Sequence, residues 1–240
     1  MRAILLDIEG TTTPVAFVYQ TLFPYARRRL RDYLTRHAQS ADLQALAERL
    51  KRERDAEPPT ADLPAWNEAT AESREQSMAA YAAWLMERDR KSPALKELQG
   101  RIWEEGYAAG ELSGEVYDDV ASALRRWRRA GLRVGIFSSG SVLAQKLLFG
   151  RSTAGDLTPL IDWHFDTSLG AKTDRASYER IASAVGVAPA EILFISDAVP
   201  ELDAARGAGM HTALCLRPGN APPPASHAHR SILNFDELAF

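Results

Sequence analysis

One cysteine in 240 residues, Cys215, leaves no partner for an internal disulfide. Nothing else in the chain argues for an oxidising compartment, so the expected location is the cytoplasm. Long apolar runs are missing as well. Ala3 to Leu6 is broken at once by Asp7 and Glu9, too short for a secretory h-region and far too short to span a bilayer, so no targeting or membrane segment is expected. An excess of positive charge is also absent: 29 Lys and Arg against 32 Asp and Glu give a net charge of -3 and no broad basic field for nucleic acid. A small-molecule partner is the expectation. No Gly-x-Gly-x-x-Gly and no P-loop is present, which argues against dinucleotide and ATP enzymes. The five histidines, His37, His164, His211, His227 and His229, show no i,i+4 pair of the kind that holds a transition metal on a helix. His227 and His229 follow the proline-rich loop Ala221 to Ala225 and read as surface; Trp66, Trp84 and Trp127 read as packing, and Cys215 as a small hydrophobe in a buried strand.

What is present is an ordinary globular composition, 45% hydrophobic, enough to bury a sizeable core. Three short apolar runs, Ala3 to Leu6, Leu132 to Phe137 and Ile192 to Ile195, each end in a polar residue and precede a candidate helix. Uninterrupted apolar runs are the mark of strands covered on both faces, so the fold class is α/β with a Rossmann-like parallel sheet, extended by a fourth run, Thr212 to Leu216. From Phe17 to Ser113 the strand signal vanishes. Leu43, Leu46, Ala47 and Leu50 mark one helical face, and Met78, Tyr81, Ala82 and Leu85 another. Pro24 and Pro93 are placed at first helical turns, Ser92 serves as an N-cap, and the segment Glu57 to Pro64, with three prolines, forms a loop. Arg27 to Arg29 and Lys51 to Arg54 read as solvated helix faces. The expected division is therefore a core of 1–16 and 114–240 around an inserted helical cap, 17–113.

In open parallel sheets the ligand crevice lies at the carboxyl ends of the strands, and four polar elements fall there. Asp7-Ile8-Glu9-Gly10-Thr11-Thr12 places two carboxylates two residues apart after the first strand. Asp7 suits a nucleophile, Glu9 a general acid and base, and the turn N–H groups of Gly10, Thr11 and Thr12 suit phosphate oxygens. Attack by a carboxylate on an anionic phosphate needs its charge offset, which magnesium supplies. Ser138 and Ser139 end the second strand where a helix opens near Val142, and Lys172 precedes a helix expected over Ser177 to Val185. Asp197 ends the third strand and offers a hard oxygen ligand to magnesium opposite Asp7. Each element alone has an unremarkable structural reading; their order, Asp, Ser, Lys, Asp, along one sheet is the signal. The residues themselves leave open a general small-metabolite phosphatase, a dehalogenase or a phospho-accepting signalling module.

At these residues the chain resembles the haloacid dehalogenase-like hydrolase superfamily. The departure at Glu9, where that pattern commonly has a second Asp, points within it to the enolase-phosphatase family of methionine salvage. The stretches Asp7 to Pro14, Leu22-Phe23-Pro24-Tyr25, Leu98 to Trp103, Phe137 to Val142, Ala144 to Gly150, His164 to Thr167 and Arg217-Pro218-Gly219-Asn220 all resemble that family. The resemblance implies enolisation and dephosphorylation of 2,3-diketo-5-methylthiopentyl-1-phosphate to 1,2-dihydroxy-3-keto-5-methylthiopentene, by a monomer carrying one magnesium ion. It implies metal ligation by the side chains of Asp7 and Asp197 and the backbone carbonyl of Glu9, with Ser138, Ser139 and Lys172 binding substrate. Two roles stay open: the base for enolisation, for which Lys96 and Glu105 are candidates beside Glu9, and any support from Glu201 or Asp203.

Overall fold

The computed structural model describes residues 1–58 and 62–240, so the middle of the expected loop Glu57 to Pro64 lies outside the described residues. These divide into two compact units, Met1–Tyr19 with Gly110–Phe240, and Gln20–Ala109.

The first unit is built on six parallel strands: β1 (Ala3–Leu6), β2 (Arg133–Phe137), β3 (Trp163–Phe165), β4 (Ile192–Ser196), β5 (His211–Cys215) and β6 (Arg230–Ile232), in the order β3-β2-β1-β4-β5-β6. Every residue of β1 and β4 is buried, which is why both read as continuous apolar runs. Helices α5 (Asp118–Arg129), α6 (Val142–Gly150), α7 (Arg175–Val185) and α8 (Val199–Gly207) connect the strands. Leu5, Phe137 and Phe194 of the sheet share one core cluster with Tyr178 and Ile181 of α7 and Leu202 of α8. On α5, Val120, Ala123, Leu124 and Trp127 are buried, and Trp127 meets Phe235 at 5.3 Å between ring centroids. Each such large apolar side chain contributes about 1.5–3 kcal/mol on burial.

The second unit holds α1 (Phe23–His37), α2 (Ala41–Asp55), α3 (Ala71–Glu87) and α4 (Pro93–Ala108), entered through a π-helical stretch, Phe17–Leu22. The two apolar faces read from the sequence are buried on α2 and α3. Ser92 caps α4 by accepting from the Leu95 amide at 2.9 Å, with Pro93 in the first turn.

Four expectations change. Strands β3 and β6 were not anticipated: each has three residues, too few for a pattern to register. Helix α7 begins at Arg175 because the Asp174 side chain accepts from the Ala176 amide at 3.0 Å. Within Lys51 to Arg54 only Arg52 is fully exposed: Glu53 accepts from the Ser92 hydroxyl and, at 3.1 Å, from the Ala94 amide, and Arg54 donates to the Pro64 carbonyl at 2.8 Å. His229 is buried, between Thr212 Oγ1 at 2.8 Å and Asp203 Oδ1 at 3.2 Å.

Candidate active site

The sheet register pairs Leu6 of β1 with Ile136 of β2 and Ile195 of β4. Asp7 is therefore level with Phe137 and Ser196, and Ser138 and Asp197 stand one residue further out. Asp7 is 3% exposed. Its Oδ1 accepts from the Ile8 amide at 2.8 Å and from Lys172 Nζ at 2.5 Å, and its Oδ2 accepts from Ser196 Oγ at 3.2 Å.

Lys172 comes from the loop between β3 and α7. Its backbone carbonyl accepts from the Tyr178 hydroxyl at 2.7 Å, and Tyr178 sits between Phe137 and Phe194, with centroids at 5.5 and 5.1 Å. The ammonium also meets Glu201 Oε2 at 2.7 Å. Burial favours its neutral form, but the carboxylates of Asp7 and Glu201 outweigh burial and hold the proton more tightly than in an ordinary lysine. The single hydroxyl proton of Ser196 lies within reach of both Asp7 and Glu201, the latter at 3.0 Å. Glu201 thus belongs to the cluster, whereas Asp203 turns away to Arg206 and His229, each at 3.2 Å. The sequence could not separate these two acids, because which face of α8 meets the strand ends is decided by packing.

Glu9 is held apart from Lys172: its Oε2 accepts from Ser138 Oγ at 3.2 Å, and that oxygen in turn accepts from the Gly140 amide at 3.0 Å. Burial first, and the Asp7 charge second, push the Glu9 carboxyl above the usual range. Ser138 is fully buried while its neighbour Ser139 faces outward, so the two serines are not equivalent. Asp197 lies against Gly10, whose φ is +70° and where a Cβ would collide with the Asp197 carboxylate; only glycine suits both demands. Burial and then the Asp7 charge push Asp197 up to about 6, and the same two causes push Glu201 up to about 7.

The turn itself corrects an expectation. The Gly10 amide donates to Thr13 O, and the amides of Thr11, Thr12 and Thr13 all donate to Ile8 O, at 2.8–3.1 Å. These N–H groups close the turn on itself and are not offered to a phosphate. Of the groups considered for enolisation, Glu105 in the second unit accepts from Arg36 at 2.6 Å and meets His37 at 2.6 Å. Burial raises its pKa, but these partners outweigh burial and hold it below the ordinary range. That makes it a weak base.

A strand-end carboxylate bonded to a buried lysine, at the centre of a six-stranded parallel sheet, defines the class of the haloacid dehalogenase-like hydrolases. A family model described as haloacid dehalogenase-like hydrolase matches residues 1–209. An enolase-phosphatase E1 of Synechococcus elongatus is 50% identical over 99% of this chain and 98% of its own, and that of Drosophila mojavensis is 47% identical over 99% and 94%. The crystal structure of UTR4 protein from Saccharomyces cerevisiae superposes with a TM-score of 0.80 at 36% identity, covering 98% of this chain and 99% of that one. The chain belongs to the enolase-phosphatase E1 family of haloacid dehalogenase-like hydrolases.

That family implies a divalent metal, and the donor chemistry fits one. Four carboxyl groups, Asp7, Glu9, Asp197 and Glu201, share the site with one ammonium, Lys172, and burial first and the Asp7 charge second raise the pKa values of the other three. Beside Asp197, the buried Asn220 Oδ1 has no hydrogen-bond donor among the described residues. Among the described residues no three His, Cys, Asp or Glu side chains form a closed cage. Hard carboxylate oxygens suit a hard divalent cation.

Proposed function

We propose that the protein is the enolase-phosphatase of methionine salvage. It converts 2,3-diketo-5-methylthiopentyl-1-phosphate to 1,2-dihydroxy-3-keto-5-methylthiopentene and phosphate, as a cytoplasmic monomer with one magnesium ion per chain. The segment 17–113 serves as its cap domain and 1–16 with 114–240 as its catalytic core. The observation that carries the chemistry is the division of labour between two acids on one turn: Asp7 is bonded to Lys172 at 2.5 Å, while Glu9 rests on Ser138 with its pKa raised.

An Asp7 oxygen attacks phosphorus, and the bond from phosphorus to the substrate oxygen breaks as an aspartyl phosphate forms. Glu9 keeps its proton to a higher pH than a free glutamate and gives it to the departing oxygen. The resulting Glu9 carboxylate then takes a proton from water, whose oxygen attacks phosphorus and releases Asp7. Lys172, Ser138 and Ser139 bind the phosphate, and Lys172 offsets the charge that Asp7 brings to it. The carboxylates of Asp7 and Asp197 and the backbone carbonyl of Glu9 would hold a magnesium ion, which when bound would polarise the keto group and neutralise phosphoryl charge.

The test is turnover of the diketo phosphate beside a panel of sugar phosphates and phosphoglycolate. Stoichiometric phosphate from the diketone is expected, and Asp7→Asn should release none. Brisk turnover of the panel with none of the diketone overturns the assignment, and an active Asp7→Asn enzyme overturns the mechanism.

A further inference from the structure

The loop after β5, Arg217 to Asn220, takes hold of the turn that carries the two acids. Asn220 Nδ2 donates to the Gly10 carbonyl at 2.8 Å, and Arg217 Nε donates to the Thr11 carbonyl at 3.0 Å. The amides of Gly10 and Thr11 are already spent inside the turn, so it is held from outside through carbonyls: these two, and that of Thr12, which accepts from the Tyr117 amide at 3.0 Å. Arg217 is itself fixed with unusual completeness. Both terminal nitrogens meet Asp119, at 2.9 Å each, and the guanidinium lies 4.4 Å from the Tyr117 ring centroid and 4.7 Å from that of Phe235. Asp119 in turn accepts from the Phe235 amide at 2.6 Å.

A buried ion pair of this kind gives little net stability over a well-packed apolar pair, because both charges lose their water. What it does give is direction: a planar, five-donor group locked at three sides can hold one carbonyl at a set angle. The residue whose angle is set is Glu9, which lies between Asp7, anchored to Ile195 of β4 at 3.0 Å, and Gly10, anchored by Asn220.

We infer that Arg217 and Asn220 are positioning residues for the leaving-group acid: they fix the orientation at which the turn presents Glu9 to the departing oxygen. The inference rests on the reading of Glu9 as that acid. A misplacement of about 1 Å is enough to cost about a hundredfold in rate, and a general acid supplies about 10²–10⁴.

The experiment compares single-turnover release of the leaving group, with enzyme in excess, from two phosphates that need no enolisation: a simple alkyl phosphate, whose alkoxide needs a proton, and p-nitrophenyl phosphate, whose phenolate departs without one. Single turnover isolates the first step from hydrolysis of the intermediate. Asn220→Ala should slow alkyl release about tenfold or more at saturation, shift the half-saturating concentration less than about twofold, and slow aryl release less than about threefold. Arg217→Lys keeps a charge beside Asp119 but loses the fork, and should show the same split. Equal slowing of both substrates in either folded variant, or unaltered rates, overturns the inference. Glu9→Gln, run alongside, must itself show the split. If it slows both substrates equally, it is the role of Glu9 that fails, and the positioning argument falls with its premise.

Discussion

Lys172 is the residue on which most of the site's charge depends. It is 7% exposed and touches two carboxylates, so removing it leaves Asp7 and Glu201 with no cation between them. Lys172→Met is expected to cost about 3 kcal/mol of stability at about pH 8 in a denaturant titration. At about pH 5 the cost should be smaller, because Glu201, pushed up to about 7, then carries a proton and one negative charge is gone. An equal loss at both pH values would count against this charge balance. The position of Lys172 before a helix made it a candidate only as one member of the order Asp, Ser, Lys, Asp; its bond to Glu201 left no signal in the sequence. A one-dimensional pattern shows which residues end the strands, and Asp7, Ser138 and Asp197 were readable for that reason. It does not show where the hydrogen bonds of a turn go. The amides of Gly10, Thr11 and Thr12 were misread because nothing in Gly-Thr-Thr reveals that Thr13 O would collect the first and Ile8 O the other two.

Among the elements, the start of α4 illustrates how a cap can be legible and its support hidden. Ser92 before Pro93 marks an N-cap by residue type alone. Glu53, forty residues earlier inside a run of charges, looked like a solvated helix face, yet its carboxylate accepts from both Ser92 and Ala94. Ser92→Ala and Glu53→Ala should each cost about 1 kcal/mol, and the double variant about the same as the worse single one, since both act on one helix end. A denaturant-unfolding cycle followed by far-ultraviolet circular dichroism checks this, and strict additivity would mean that the two groups work separately. The same contrast separates the long strands from β3 and β6. Residues of β1 and β4 are all buried, whereas those of β3 are half-buried, so its Trp-His-Phe carries no continuous apolar signature.

For the whole molecule, the carboxyl cluster ties stability to pH and to metal. Glu9, Asp197 and Glu201 all have raised pKa values, so between about pH 4 and 7 the folded chain binds more protons than the unfolded one. Stability contributed by these groups is therefore greatest in mild acid and falls as pH rises through that window. Lys172 acts in the opposite range, its contribution holding below the ordinary lysine pKa and fading only in strong base. Magnesium should accordingly raise the melting temperature by several degrees at about pH 7.5 and hardly at all at about pH 5, with EDTA reversing the gain. A magnesium shift of the same size at both pH values would contradict the assignment of Asp197 to its seat.

The sheet order also imposes a schedule. β1 lies between β2 and β4, and Ala3 pairs with Arg133 on one side and Ile192 on the other. On a ribosome adding about 5–20 residues per second, the strand that leads to Asp7 waits roughly 10–40 s for its second neighbour to be made. Four consecutive apolar residues have no partner strand until β2 is made and only one from then until β4, while the contiguous helical stretch, complete long before, has all of its own chain to hand. Asp7, the proposed nucleophile and the first of the site's groups to be synthesised, is thus among the last to be assembled, and the nascent chain is exposed to aggregation at the very strand that leads to it.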